Sequence, residues 1–190
     1  ERNVAALAER LAAPLLGAAV AGRAALGAGD LQSASALLEY AAEGLSASYP
    51  EGWGYRYRIP LATALAIRGM TGEATATVAA LDQVQRSSRS LDHEQSVARA
   101  WVAAGQGAVS EAIVELLAAA KRAAVKRQFA AEVLCLQTAV QFGDRTSAAR
   151  LRELKSMVEG PRVGLVARFA ERLRDGDAAD LALVSRELES

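Results

Sequence analysis

Apolar residues return along this chain at helical spacing. In GQGAVSEAIVELLAAAK, Gly105–Lys121, the residues Val109, Ala112, Ile113, Leu116 and Leu117 form one stripe after a turn at Gly107. The same phrase comes back as GAGDLQSASALLEYA, MTGEATATVAAL, QFGDRTSAARLREL and RDGDAADLALVSREL. Each reads as the end of one helix, a glycine corner and the start of the next. The stripes predict about eleven helices: one near Arg2–Leu11, then pairs at 15–28 with 31–46, 58–70 with 73–86, 90–105 with 109–126, 128–142 with 145–158, and 161–174 with 178–189. Pro14, Pro60 and Pro161 are expected at or near helix starts, where a missing N–H costs nothing. Ser46–Tyr57 reads as the one long interruption. No long β-branched alternating run is present, so a sheet is not expected.

The corner glycines give the period. Gly29, Gly72, Gly107, Gly143 and Gly176 lie 43, 35, 36 and 33 residues apart, against about 34 for tetratricopeptide repeats. Asp30, Glu73, Asp144 and Asp177 follow four of them, where an acid can cap free N–H groups and meet the positive end of the helix dipole. Glycine before it closes the preceding helix in a left-handed conformation. Gly22, Ala34, Leu38 and Ala41 in the first repeat follow the small–large–small pattern of close helix contact, as do Ala100, Ala112, Leu116 and Ala119 in the third; Thr77 and Leu181 fit loosely. The expected fold is all-α: a right-handed tetratricopeptide-like solenoid of antiparallel hairpins. It forms a single helical-repeat domain over 1–190, with repeats near 15–46, 58–86, 90–126, 128–158 and 161–189. Hairpins of this kind are apolar on both broad sides and gain stability from their neighbours. Val4, Leu7 and Leu11 at one end, and Leu181, Leu183, Val184 and Leu188 at the other, leave the outer faces apolar. Further protein, or a second copy, is expected there, and the start at Glu1 reads as that of an excised fragment.

Composition narrows the function classes. A hydrophobic share of 52% excludes disorder. The 22 basic and 22 acidic residues cancel, and no basic stripe announces direct contact with nucleic acid. Cys135 is the only cysteine, so no intrachain disulfide forms and a reducing cytoplasm fits. Leu11–Gly22 is too short to cross a bilayer, which needs about 20 apolar residues.

Candidate chemistry is sparse. No GxxxxGK[ST] loop is present, and Gly27-Ala-Gly29 and Gly105-Gln-Gly107 join helix to helix instead of following a strand. His93 is the sole histidine and has neither the company of a catalytic base nor of a metal ligand; it reads as an exposed residue near a helix N-terminus. Cys135 lies in an apolar run and reads as core. Glu111 and Glu115, one turn apart, read as solvated surface. Lys121, Arg122, Lys126 and Arg127 spread round a helix end that favours cations. Tyr49, Trp53, Tyr55 and Tyr57 crowd into SYPEGWGYRYRIP, where rings in a loop could hold a ligand or partner, or fill the gap of a long connection. First helices of such hairpins line the concave face. That places Arg23, Glu94, Trp101, Gln137, Gln141 and Arg174 among Ala19, Ala62, Val97, Val133 and Val166: an apolar trough with scattered polar groups, or a surface filled by another helix. No catalytic set and no metal set emerges.

The strings YRYRIPLATALAIRG, ARAWVAAGQGAVSEAIVELLAAAKRAAVKRQFAAEVLCLQTAVQFGD and PRVGLVARFAERLRDGD resemble the helical-repeat region of large bacterial LuxR-type (MalT-like) ATPase transcriptional regulators, actinobacterial members above all. The resemblance covers most of residues 55–190. It implies a non-catalytic sensor, oligomerisation or protein-interaction module that works in the cytoplasm beside the other domains of the parent protein. A small-molecule inducer, a partner protein or a second copy would be the ligand. ATP and Mg would belong to a separate ATPase domain, and DNA to a C-terminal helix-turn-helix. The alternative is a general repeat scaffold binding a peptide or partner protein. No family ligand residue is matched here.

Overall fold

The computed structural model describes residues 2–48, 53–83, 91–176 and 178–189, and within them every element is a helix. Tyr49, Asp177 and the ends of the expected helices between 84 and 90 lie outside those residues, as do the side chains of Val4, Leu7, Leu11 and Leu188. The described helices fall into two compact units, Glu1–Gly107 and Ala108–Ser190.

Unit 1 holds α1 (Arg2–Gly27), α2 (Leu31–Ser48), α3 (Trp53–Ile67), α4 (Thr71–Asp82) and α5 (Asp92–Gly105). α1 packs on α2 and α3 on α4 as hairpins. α3 also packs on the preceding α2 and on the two neighbouring first helices, α1 and α5. α3 therefore touches its own partner, the second helix before it and the first helices on either side, which is how hairpin repeats stack. Leu15, Ala19, Ala34, Leu38, Ala41, Leu45, Tyr57 and Leu61 belong to one core; Tyr55, Ile59, Ala62, Leu81 and Ala98 form a second. The expected small–large–small positions Ala34, Leu38 and Ala41 are all fully buried.

Unit 2 holds α6 (Val109–Val125), α7 (Phe129–Gln141), α8 (Ala148–Leu154), α9 (Pro161–Asp175) and α10 (Ala178–Glu189). α6 packs on α7, α8 on α9, and α9 on α10, while α7 reaches both α8 and α9. Ala112, Leu116 and Ala119 are buried, as the pattern required. At α10 the expected bare face is mixed: Leu183 is exposed, Leu181 half-buried and Val184 buried.

Several expectations are corrected. α1 is one continuous helix, so two expected helices merge and Pro14 sits inside it. Its ring is exposed, where a backbone carbonyl left unpaired can be solvated. α3 starts at Trp53, so the interruption is shorter than expected and Pro60 also lies within a helix. Packing against four other helices outweighs the lost hydrogen bond there. Gly72 is not a corner; it lies in the first turn of α4. The left-handed residue is Gly69 (φ 79°), followed by a bond from the Met70 N–H to the Leu65 carbonyl at 2.9 Å. The same six-residue closure appears from Asp30 to Ala25 and from Asp144 to Ala139, both at 2.9 Å. It also closes Gln128 on Ala123 at 2.9 Å, with Arg127 (φ 56°) in the left-handed position, the only described non-glycine residue with positive φ.

The acids after the corners act as proposed at two places. Asp30 accepts from the Ser33 N–H at 3.1 Å, and the Ser33 side chain first, with this backbone bond after it, lowers its carboxyl pKa. Asp144, buried at 6% exposure, accepts from the Thr146 N–H (3.0 Å), the Thr146 hydroxyl (2.7 Å), the Ser147 N–H (3.1 Å) and the Ser147 hydroxyl. Its turn takes up the residues expected to begin a longer helix, so α8 is short. Burial works against the Asp144 carboxylate, but the four hydrogen bonds outweigh it and its pKa lies below the normal value. Asp144→Ala is expected to cost about 1–2 kcal/mol at neutral pH, as lost caps do. Because the native pKa is depressed, the wild-type advantage is present above the unfolded value of about 3.9 and disappears as pH falls through the native one. Urea melts of both proteins at a series of pH values between neutrality and acid check this; a gap that widens in acid would refute it.

Candidate functional site

In unit 1 the fold brings together residues far apart in sequence. The Arg23 guanidinium of α1 meets the Glu94 carboxylate of α5 at 3.0 Å, across 71 residues. α3, which packs on both α1 and α5, supplies the aromatic group. That group is not a loop cage, because the rings belong to the first turns of a helix and point different ways. Trp53 is 47% exposed. Tyr57 is buried in the core of α1, α2 and α3, against which Trp101 is half-buried. Tyr55 is buried in the other core, and its hydroxyl donates to Gln95 Oε1 at 3.0 Å. The Gln95 amide then donates to Asp82 Oδ1 at 3.0 Å, and Arg99 pairs with the same carboxylate. Tyr55 is thus the inner end of a polar chain that ties α3, α5 and α4 together.

The unit 2 candidates do not converge on one point. Gln137 is buried and accepts from Arg162 Nε at 3.0 Å, which joins α7 to α9. Gln141 is exposed. Arg174 is exposed and bonded to its neighbour Asp175 at 2.8 Å; that contact raises the arginine's pKa and lowers the aspartate's. The apolar residues expected to wall a trough, Ala19, Ala62, Val97, Val133 and Val166, are all buried and serve as core.

Other singled-out residues have structural places. Burial pushes the Cys135 thiol up to about 12, so it stays protonated and unreactive in the folded chain. Glu115 pairs with Arg122 at 3.1 Å, while Glu111, Lys121, Lys126 and Arg127 are exposed. His93 is half-buried, not exposed as expected, and its Nδ1 is buried without a hydrogen bond among the described residues. Among the described residues no group of three or more His, Cys, Asp or Glu side chains could hold a metal. No described helix is long and apolar enough to cross a membrane.

Sequence reasoning missed one concave feature. A cleft of 250 Å³ opens between α2, α3 and α4, lined by Glu39, Ala42 and Glu43, by Arg58 and Leu61, and by Ala76, Thr77 and Ala80. The four-residue spacing of Glu39 and Glu43 was visible in the sequence, but which helix faces them depends on how α2 meets α3. Compared with known protein families, with curated proteins and with solved structures, the chain finds no match.

Proposed function

We propose that this chain is the sensor, oligomerisation or protein-interaction module of an ATP-dependent LuxR-family transcriptional regulator, non-catalytic in itself and cytoplasmic. ATP and Mg would be held by an ATPase domain elsewhere in that protein, and DNA would be read by another. The observation that carries the reading is the Arg23–Glu94 pair across unit 1. It links two first helices that flank a third, so a ligand pressing on one is felt by the others. A stack joined in this way passes on a binding event when the ligand prefers one of two arrangements of the same side-by-side contacts. The resemblance of most of residues 55–190 to the repeat region of such regulators supports it.

A general scaffold for a peptide or partner protein is the second reading. It is favoured by Trp53, Tyr40 and Val20, large apolar side chains left exposed in unit 1. Two experiments separate the readings. The reading frame around residues 1–190 is expected to encode a phosphate loop upstream and a helix-turn-helix downstream; a frame without them supports the scaffold. Titration followed by Trp53 and Trp101 fluorescence is expected to respond to a metabolite, and a response to peptides alone counts against sensing.

A further inference from the structure

The cleft on α2, α3 and α4 has the makings of a receptor, and we propose that it binds a small aliphatic zwitterion: an amino acid whose ammonium and carboxylate are separated by a methylene chain. The inference rests on the cleft alone and stands whether or not the regulator reading does.

Glu39 and Glu43 are one turn apart on α2, so both carboxylates face the same side. Both are exposed, and Arg58 of α3, half-buried, lines the same space. No ion pair joins Arg58 to either carboxylate among the described residues. The arginines at 23, 99, 122, 150, 152, 168, 172 and 174 each meet an acid, whereas Arg58 lines a hollow with two carboxylates and pairs with neither. Opposite charges lining one hollow without touching leave room for a molecule that carries the complementary pair. Ala42, Ala76 and Ala80 make that room, and the buried Leu61 and Ala42 give it an apolar floor. The Thr77 hydroxyl donates to the Glu73 carbonyl at 2.8 Å, which leaves its lone pairs to accept from an ammonium. At 250 Å³ the space falls below the roughly 300–1,000 Å³ of drug-sized sites, which suits a ligand of amino-acid size. The ammonium lies between Glu39 and Glu43, the carboxylate meets the Arg58 fork, and the methylenes cover the alanines.

The test uses 6-aminohexanoate as the probe on the ¹⁵N-labelled chain, with hexanoate and pentylamine as single-charge controls. Saturable amide shifts are expected at Ala42, Leu61, Ala76, Thr77 and Ala80, with a Kd on the order of 1 mM, as befits so few atoms. Each control should bind at least tenfold more weakly. Arg58→Gln should weaken the probe by about tenfold and leave the rest of the spectrum in place, since Arg58 makes no internal pair. Ala80→Leu should fill the hollow and abolish binding. The proposal is overturned by the absence of a saturable shift in the folded wild type. It is equally overturned by either control binding as well as the probe, or by undiminished binding in both variants.

Discussion

Arg150→Leu is expected to destabilise unit 2 by about 3 kcal/mol, chiefly through the acid it leaves behind. Glu132 on α7 is only 4% exposed at its side chain, and Arg150 on α8 grips it with two bonds, Nε to Oε1 at 2.6 Å and a terminal nitrogen to Oε2 at 3.0 Å. The third arm reaches Glu153 at 2.8 Å. These bonds, Glu132 first and Glu153 after it, raise the arginine's pKa, so it stays charged at every pH where the fold is studied. Leucine leaves a carboxylate with almost no access to water and no partner. Breaking such a pair costs about 3–5 kcal/mol, and the lower end applies because Arg150 itself is 36% exposed. Arg150→Lys keeps the charge but loses the two-pronged grip, and should lose about 1 kcal/mol. Adding Glu132→Leu to Arg150→Leu should restore most of the loss, because the stranded charge is gone. Hydrogen exchange of the α7 and α9 amides reads the effect within unit 2. A double variant no more stable than Arg150→Leu alone would show that the cost is lost packing and not a stranded charge.

That pair also marks the limit of what the sequence disclosed. Glu132 and Arg150 are 18 residues apart on different helices, and neither has a spacing that names the other. The same holds for Tyr55 with Gln95 and for Arg23 with Glu94. Apolar periodicity tells which face of a helix is buried, but the polar partners across a packed face depend on how two helices cross. Within one helix or one corner the reading went further. Gly29, Gly107, Gly143 and Gly176 are left-handed corners because L side chains resist that conformation and glycine does not. Arg127 takes the same conformation and was invisible to a search for glycine, at a strain of about 1 kcal/mol. Pro14 and Pro60 misled for a related reason. A proline's local cost argues for a helix start, yet at exposed Pro14 water can solvate the freed carbonyl and at buried Pro60 packing on several sides outweighs the cost. The cleft at Glu39, Glu43 and Arg58 was legible only as an acid pair, since its emptiness comes from three alanines on two helices brought together by the fold.

Gly22 and Leu38 offer the sharpest test of the packing, because their substitutions are expected to interfere. Leu38 is fully buried, and Leu38→Ala should cost about 3 kcal/mol, within the range of such truncations. Gly22 faces it from α1: a Cβ there would come within 2.8 Å of Leu38 Cγ and 3.1 Å of the Leu38 backbone nitrogen. Gly22→Ala should therefore lose about 1–3 kcal/mol to overpacking, offset by about 1 kcal/mol of helix propensity. In the Leu38→Ala background the closest clash disappears while the propensity gain remains. The pair should then fall short of additivity by about 1–2 kcal/mol, as expected of residues in contact. Denaturant midpoints and m-values of the four proteins in the cycle measure it. Strict additivity would mean that α1 and α2 do not meet at Gly22, and the small–large–small reading of the first hairpin would fall with that contact.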